Sequence, residues 1–439
     1  MSNLSHAIEL LIQRIQKGQA STENRYTESI QLNDDFSAID WLENQPHYPR
    51  FYWQSRDEVE EVVALGSVST FTDPLSAYSL LGDKQRVWGG KSFDSEHSKN
   101  TEQSSFFFLP QIELIRQDQA WTINANVSEN PQQTITALKQ LCADITELEA
   151  ITIQSSQIHF SPKFDEWKHI LDKALKAIDD NEFEKVVLAR KMVVELPKPI
   201  RAAQLLKSSR AKNRNSFHFL IAIDESQSFI GSTPERLYRR VDDTVETEAL
   251  AGTVGRSDDP VEDKQFSDWL LNDDKNLREN QFVVDDIIER LQPYTQSIAV
   301  QPEVQLVQLR RVQHLKRYIQ GNLSSGVKGV QLLTALQPTA AIAGLPREAS
   351  LNFIRLNEPF TRGWYSGSVG YFGHHQAEFC VSLRSAVLTE NTVKLYTGAG
   401  IVPGSEAKSE WQELNRKAAT LLNLITDYPI ENELGEKEL

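Results

Sequence analysis

The sequence has few cysteines and no long apolar run. Its two cysteines, Cys142 and Cys380, are too few for a disulfide framework or a thiolate metal cage. No run approaches the ~18 apolar residues that a membrane span requires. Residues 1–19 have the pattern of an amphipathic helix and lack the regions of a signal peptide. We therefore expect a cytoplasmic protein with no membrane partner.

Basic residues are also in the minority. The chain has 46 lysines and arginines against 61 aspartates and glutamates, which gives a net charge of −15 and a pI near 5.2. A protein with a negative net charge repels nucleic acid and anionic lipid, so neither is expected as a partner. The remaining composition, 40% hydrophobic and 24% charged, is that of a soluble globular protein.

The 439 residues are enough for a large hydrophobic core, and their pattern predicts two portions. Residues 1–155 alternate short strands and helices and concentrate no chemistry; they include a predicted hairpin at 106–127 and a helix at 131–149. Residues 156–428 form the second portion, which we expect to be one continuous domain. Residues 429–439 are an acidic tail that is expected to fray.

Two antiparallel meanders dominate the second portion. Strands are predicted at 217–223, 228–231, 237–240 and 245–250, and again at 364–372, 378–388 and 392–396. Helices are predicted at about 264–291, 330–336, 346–355 and 405–426. The pattern therefore predicts an α+β fold, in which large and mostly antiparallel β-sheets are covered by helices.

One stretch near the middle of the chain, residues 183–191, is apolar on both faces, as in a strand inside a covered sheet. Lys185 interrupts one face and Arg190 the other. A buried ammonium without a partner is costly, so the position of Lys185 needs an explanation. Either the lysine lies at the strand entrance with its amine in water, or apolar neighbours keep it partly neutral so that it acts as a base.

Two isolated carboxylates each have two interpretations. Glu235 lies in a tight turn between strands, where it is either an ordinary solvated partner of Arg236 or a functional acid. Glu279 lies off the apolar stripe of its helix, which usually means that a side chain faces solvent. Neither position by itself indicates chemistry.

A third group of charged residues, Glu410, Glu413 and Lys417, shares one flank of a predicted helix. Glu413 and Lys417 have the i, i+4 spacing of a surface pair, which is worth about 0.5 kcal/mol or less. Carboxylates from two helices, with no cysteine or paired histidine nearby, would instead suit Mg²⁺ rather than Zn²⁺. The spacing is compatible with both interpretations.

Glycines cluster where an anion could bind. Gly398 and Gly400 precede a helix predicted from Ser405, so their N–H groups could meet a carboxylate. Their G-x-G pattern is a weak dinucleotide signal, which we reject because the glycines follow an antiparallel hairpin rather than opening a βαβ unit. Arg384, a predicted strand residue, is either a bidentate carboxylate clamp or an arginine that reaches solvent.

Taken together, several stretches resemble the chorismate-utilising enzymes, in family order over roughly residues 160–425. They are KVVLAR at 185–190, STPER at 232–236, TEALAGT at 247–253, REN at 278–280, YTGAGIV at 396–402 and EWQELNRKA at 410–418. The resemblance implies the fold of anthranilate synthase component I. Within the family the chain is most similar to the isochorismate synthases of the menaquinone-pathway type, which residues 51–54 and 337–347 also resemble.

Two positions separate the branches of this family. Anthranilate synthases usually carry Gln where Lys185 stands, and aminodeoxychorismate synthases carry a nucleophilic Lys where Ala251 stands. The resemblance therefore implies water as the nucleophile and no glutamine amidotransferase subunit as a partner. Salicylate synthases share both features and remain the alternative, beside an inactive chorismate-binding homologue.

The implied reaction is the reversible conversion of chorismate to isochorismate. Water attacks C2 and the C4 hydroxyl leaves, so the reaction requires a base and an acid. The resemblance assigns Lys185 as the base and Glu235 as the acid. It also implies Mg²⁺ on the ring carboxylate, held by Glu279 and Glu413, with Glu410 acting through water. The substrate-binding residues that it implies are Gly252, Thr253, Tyr365, Arg384, Gly398, Gly400 and Lys417.

Overall fold

The computed structural model describes residues 3–18, 24–93, 105–309 and 312–430. Residues 431–439 of the predicted acidic tail lie outside this range. The helices of the described residues are α1 Asn3–Gln16, α2 Ala38–Glu43, α3 Pro74–Tyr78, α4 Pro131–Lys139, α5 Phe164–Asp179, α6 Ala202–Lys212, α7 Pro260–Asn272, α8 Asp274–Leu291, α9 Gly329–Leu336, α10 Arg347–Asn357 and α11 Ala407–Leu422. None of them is long and apolar enough to cross a membrane.

The strands of the described residues are β1 Arg25–Ile30, β2 Arg50–Gln54, β3 Glu60–Phe71, β4 Val87–Lys91, β5 Ser105–Gln117, β6 Ala120–Asn126, β7 Gln157–Ser161, β8 Lys185–Glu195, β9 Phe217–Ala222, β10 Ser228–Thr233, β11 Arg236–Val241, β12 Thr244–Gly255, β13 Thr295–Val300, β14 Gln305–Gln308, β15 Val312–Leu323, β16 Gly344–Leu345, β17 Ser368–Phe372, β18 Gln376–Val381, β19 Ser385–Thr389 and β20 Thr392–Ile401. All the pairings between these strands are antiparallel.

The pairings form two sheets that share β5. The first sheet runs β1-β6-β5-β3-β2-β9-β10-β19-β20-β8, with β7 and β16 on the far edge of β8. The second sheet runs β5-β4-β17-β18-β11-β12-β15, with β13 and β14 on the far edge of β15. The chain passes between the two sheets at several connections, and two of them run from β10 to β11 and from β18 to β19.

An aromatic core fills the space between the two sheets. It unites buried side chains of β2, β9 and β10 with others from β4, β17 and β18, among them Trp53, Trp88, Phe219 and Tyr371. Burial of such rings is worth roughly 1.5–3 kcal/mol each. This core joins the two sheets.

The stretch predicted as the central strand is β8, and residues 185–190 are buried throughout. β8 pairs with β20 on one side and with β7 and β16 on the other. Helix α5 buries Trp167 and Leu171 in the adjoining core. The structure thus confirms a strand that is covered on both faces.

Strands of the predicted first portion, residues 1–155, pair with strands of the second portion, residues 156–428. β2 pairs with β9, and β4 pairs with β17. The two portions therefore share both sheets, and their division at residue 155 stays a prediction.

Several predicted elements differ from the structure, among them the strand predicted at 364–372, which begins only at Ser368. The helix predicted at 131–149 ends at Lys139, because the N–H and C=O groups of Cys142 form hydrogen bonds with the side chain of Gln45 instead of continuing the helix. The helix predicted at 264–291 is two helices, divided where Asp273 adopts an extended conformation. The strand predicted at 378–388 is interrupted between β18 and β19, and the strand predicted at 392–396 extends to Ile401.

Candidate active site

The predicted site residues converge on one cavity of about 390 Å³, beside two of the crossings between the sheets. The crossing from β10 to β11 carries Glu235, and the crossing from β18 to β19 carries Arg384. All the predicted site residues except Lys185 line the cavity: Glu235, Gly252, Thr253, Glu279, Tyr365, Arg384, Gly398, Gly400, Glu410, Glu413 and Lys417.

Glu235 lies in a turn and yet is buried. It is only 6% exposed, and its carbonyl accepts a hydrogen bond from the Val381 N–H at 3.0 Å. The neighbouring Arg236 pairs with Glu378, whose Oε1 lies 3.0 Å from Nε. Glu235 is therefore not a solvated partner of Arg236, and its carboxyl faces the cavity.

The Glu235 carboxyl is protonated at neutral pH. Burial raises its pKa to about 8, and the charge of Glu248 adds to the shift. The cations of Lys185, Lys417 and Arg384 oppose the shift without cancelling it. A carboxyl in this state can donate a proton to a leaving group.

Lys185 begins β8 and is fully buried, which excludes the interpretation that its amine lies in water. Its Nζ donates to Glu279 Oε1 at 2.9 Å, and Glu279 lines the cavity. Gly400 packs against both side chains: a Cβ at this position would lie 2.9 Å from Glu279 Oε1 and 3.1 Å from Lys185 Cε. Because residue 400 has no side chain, Lys185 and Glu279 can pair at the wall of the cavity.

Glu279 reaches the cavity because α7 and α8 are separate helices. Asp273 ends α7 and caps α8, since its side chain accepts a hydrogen bond from the Asn276 N–H at 2.9 Å. Glu279 lies one turn further along α8, with 17% of its side chain exposed. A position off the apolar stripe therefore faces the cavity rather than bulk solvent.

The three carboxylates predicted as metal ligands each pair with a lysine. Glu279 pairs with Lys185, Glu413 with Lys417 at 2.7 Å, and Glu410 with Lys275 at 3.5 Å. The i, i+4 pair that the sequence suggested is therefore present, but it lines the cavity.

The carboxylates are close enough to influence one another. Burial raises the pKa of Glu410 to about 7, and the charges of Glu413 and Glu279 contribute to the shift. Within the described ranges, no group of three or more carboxylate, imidazole or thiol side chains is placed to hold an ion by itself. The set fits a Mg²⁺ ion that takes two carboxylates from the protein and its other oxygens from substrate and water.

Gly398 and Gly400 belong to β20 and not to a loop before a helix, which corrects the prediction; α11 begins only at Ala407. Their partners on β8, Ala189 and Val187, donate their N–H groups to Glu358 Oε1 and to the Ala343 carbonyl. These are therefore non-hydrogen-bonded pairs of the ladder, and the glycine N–H and C=O groups point away from β8. The N–H groups remain directed to the cavity side.

Lys417 confirms the orientation of this strand edge. Its Nζ donates to the Gly398 carbonyl at 2.8 Å and pairs with Glu413. The glycine edge therefore combines main-chain donors with a cation, which is a setting suited to a carboxylate.

Arg384 is not a strand residue, contrary to the prediction. It lies between β18 and β19 with a φ of 47°, and this backbone turns its side chain toward the cavity. Its Nη2 donates to His314 Nε2 at 3.1 Å, and His314 Nδ1 lies 2.9 Å from Thr253 Oγ1. Burial lowers the pKa of Arg384 to about 10, so the guanidinium stays charged at neutral pH.

His314 is a site residue that the sequence did not indicate. It is 8% exposed, and burial together with the charges of Arg384 and Lys417 holds its pKa well below the usual range. The imidazole is neutral, so its Nε2 accepts from Arg384 and its Nδ1–H donates to Thr253. The residues around position 314 gave no signal for these hydrogen bonds, because the partners Thr253 and Arg384 lie about 60 and 70 residues away in the sequence.

Gly252 and Thr253 lie at a bulge in β12, where the register to β15 shifts. Gly252 has a φ of +87°, which favours glycine. Asn276 of α8 fixes the bulge, since its Oδ1 accepts from the Thr253 N–H at 3.1 Å. Ala251 also lines the cavity, so a methyl group stands where another branch of the family has a lysine.

Tyr365 closes another side of the cavity. Its ring stacks on that of Tyr396, with centroids 5.3 Å apart and an interplanar angle of 13°. Burial raises the pKa of Tyr365, so its hydroxyl stays protonated and is available as a donor. Its predicted role in binding a carboxylate remains a prediction.

Comparison with known proteins agrees with this site. The sequence profile of the chorismate binding enzyme family matches residues 74–426. The isochorismate synthase MenF of Escherichia coli is 40% identical over 437 residues, covering 97% of this chain and 99% of the relative. The MenF of Haemophilus influenzae is 36% identical, with coverage of 97% and 98%.

Solved structures agree as well. The structure of MenF, the menaquinone-specific isochorismate synthase of Escherichia coli, superposes with a TM-score of 0.89 over 97% of this chain and 100% of that one. Anthranilate synthase component I of Streptococcus pneumoniae is 21% identical and has a TM-score of 0.67 over 89% and 95% of the two chains, so it supports the fold alone. The predicted α+β fold is thereby confirmed, and the chain belongs to the chorismate-binding enzyme family.

Proposed function

We propose that this protein is an isochorismate synthase, which converts chorismate to isochorismate reversibly and with water as the nucleophile. The observation that carries the proposal is a protonated carboxyl and a buried amine at one cavity. Glu235 holds a proton at neutral pH, and Lys185 lies beside Glu279, which lines the same cavity. Addition of water at C2 with loss of the C4 hydroxyl requires a base and an acid of this kind.

In the proposed reaction Lys185 acts in its neutral form, and its amine takes a proton from the attacking water. The C2–O bond forms, the two ring double bonds shift from C1=C2 to C1=C6 and from C5=C6 to C4=C5, and the C4–O bond breaks. Glu235 delivers its proton to the departing hydroxyl, which leaves as water. The reverse reaction uses the same two groups with their roles exchanged.

The substrate carboxylates have two cationic regions available. Arg384 and the glycine edge of β20 would bind the enolpyruvyl carboxylate, with Tyr365 beside them. Lys417 would bind the ring carboxylate. Because Arg384 is fixed by His314, its guanidinium is oriented before the substrate arrives, which reduces the entropic cost of binding.

Glu279 and Glu413 would hold Mg²⁺ at this cavity, with Glu410 acting through water. The bound cation would neutralise charge on the substrate carboxylate and on the clustered glutamates. The raised pKa of Glu410 supports this assignment, since it reflects burial and unrelieved repulsion among carboxylates. The net charge of −15 makes such neutralisation useful for a dianionic substrate.

Water as the nucleophile leaves no need for an ammonia source, so no amidotransferase subunit is proposed as a partner. Ala251 and Lys185 support this choice, since neither residue matches the branches that use nitrogen nucleophiles. We also propose a cytoplasmic location, which the acidic charge and the two cysteines favour.

The purified protein should convert chorismate to isochorismate in the presence of Mg²⁺, with the product identified by chromatography and mass spectrometry. EDTA should abolish turnover, and added Mg²⁺ should restore it. Glu413→Gln should require more Mg²⁺ for half-maximal activity than the parent. Salicylate as the product would favour the salicylate synthase alternative, and no turnover would favour an inactive homologue.

A further inference from the structure

An ion pair outside the predicted site holds the turn of Glu235. Arg56 lies just after β2, in the portion of the chain where the sequence indicated no chemistry. Its Nη1 donates to the Pro234 carbonyl at 2.7 Å, and its Nη2 donates to Glu248 Oε2 at 3.0 Å. Glu248 Oε1 in turn accepts a hydrogen bond from the Arg236 N–H at 3.3 Å.

These contacts have a specific consequence for the backbone of Glu235. The Pro234 carbonyl and the Arg236 N–H belong to the two peptide groups that flank the Glu235 Cα. One ion pair, Arg56–Glu248, therefore holds both peptide groups. The hydrogen bonds fix the turn at the point where the chain crosses from the first sheet to the second.

The pair is asymmetric in burial. The Glu248 side chain is 1% exposed and that of Arg56 is 18% exposed. Burial opposes ionisation of Glu248, but the hydrogen bonds and charge of Arg56, together with Arg236 and Lys316, lower its pKa. Glu248 is therefore an ionised carboxylate in the interior, beside a carboxyl that is protonated.

Several charged and titratable groups face Glu235. Lys185 of β8, Lys417 of α11 and Arg384 favour its ionised form, and Glu248 of β12 favours its protonated form. Tyr365 and Cys380, both near Glu235, are protonated at neutral pH because burial raises their pKa values. Burial is the main reason that Glu235 retains its proton, and the negative charge of Glu248 adds to the shift in its pKa.

We propose that Arg56 and Glu248 are positioning residues for Glu235: together they hold both peptide groups of its turn, and Glu248 places a negative charge beside the acid. The inference rests on the proposed function, in which Glu235 is the acid. It also gives the N-terminal portion a part in the reaction, through Arg56.

The test is the titration of Glu235 in protein labelled with ¹³C at the glutamate carboxyl carbons. The Glu235 signal is identified by its absence from Glu235→Gln. Its midpoint should lie near pH 8 in the parent. In Glu248→Gln, which keeps an acceptor for Arg56 but removes the charge, the midpoint should fall by on the order of one unit. Glu248→Asp, which retains the charge, should restore it.

Further variants separate charge from structure. Glu61→Gln removes another buried carboxylate paired with arginines, one that does not line the cavity, and should leave the Glu235 midpoint unchanged. Arg56→Lys retains a positive charge beside Glu248, but one ammonium does not reproduce the separate hydrogen bonds of the two guanidinium nitrogens to Pro234 and Glu248, so the Glu235 midpoint should not fall while kcat decreases. If Glu248→Gln does not fold, Arg56→Gln provides the comparison: it removes the main charge that favours ionisation of Glu248, so the Glu235 midpoint should fall in this variant as well.

The pH dependence of kcat/KM gives a second readout. Its basic limb should move to lower pH in Glu248→Gln and stay in place in Glu61→Gln. An unchanged Glu235 midpoint in Glu248→Gln, or an equal change in Glu61→Gln, would overturn the inference. Because the ¹³C titration needs no turnover, it decides this question even if chorismate proves not to be the substrate.

Discussion

At the scale of single residues, burial acts on Glu235 and Lys185 in different ways. The Glu235 carboxyl is buried among positive and negative charges, and its burial raises its pKa so that it retains its proton. The Lys185 side chain is buried with its Nζ 2.9 Å from a carboxylate oxygen of Glu279, which lines the cavity. An acid and a base at one cavity are what proton transfer in both directions requires.

Lys185→Arg should lose turnover and still bind chorismate. Arginine retains the positive charge but does not give up its proton, so a base at this position is lost. Lys185→Ala should also lose turnover and still bind chorismate. Turnover should be measured by product formation and binding by calorimetry. Substantial turnover in Lys185→Arg would show that the residue has only a structural role.

Glu235→Gln should reduce kcat by ~10²–10⁴, because an amide of the same shape has no proton to donate to the departing hydroxyl. The KM for chorismate should change little, since the amide still occupies the same space. Steady-state kinetics at pH 7 provide the comparison. A kcat close to that of the parent would remove Glu235 from the reaction.

At the scale of elements, the site depends on the close approach of β8, β20 and α8. Gly400 of β20 lies where a side chain would displace Glu279 or Lys185. The break at Asp273 sets the start of α8, and with it the direction of Glu279. The strand and helix thus position the two residues that pair across the cavity wall.

Gly400→Ala should lower kcat by at least tenfold in an otherwise folded protein, because its methyl group would push Glu279 and Lys185 apart. Gly255→Ala is a matched control: it also lines the cavity, but its new methyl group would lie 3.8 Å from its nearest neighbour, Arg416. Circular dichroism should verify folding of both. Equal activity of the two variants would contradict the packing argument.

The sequence predicted much of this arrangement, and its failures have physical causes. The apolar pattern of β8 is local, so this strand was predicted correctly. The orientation of Arg384 depends on a backbone φ of 47° that tertiary contacts impose. His314 and Arg56 act through partners distant in the chain, and a single sequence carries no signal for such contacts.

At the scale of the whole molecule, the site is maintained at a cost in stability. The pKa of Glu235 is about 8 in the folded protein against an ordinary value of 4.5. A raised carboxyl pKa means that the folded state is disfavoured as pH rises from 4.5 through 8. The surrounding sheets and their shared aromatic core must offset this loss.

Glu235→Gln should therefore become progressively more stable than the parent as pH rises from 5 to 8. The difference should grow by on the order of 3 kcal/mol by pH 7, since the amide does not ionise. Urea unfolding of both proteins at pH 5, 6.5 and 8 measures the change. A stability difference that is constant across this range would contradict the assignment of a raised pKa to Glu235.

The central claim is that water attacks chorismate and that its oxygen remains in the product. Incubation of the protein with chorismate and Mg²⁺ in H₂¹⁸O, followed by mass spectrometry of the product, tests this claim most directly. We predict isochorismate carrying one ¹⁸O at C2. Isochorismate without label, or a product other than isochorismate, would contradict the account.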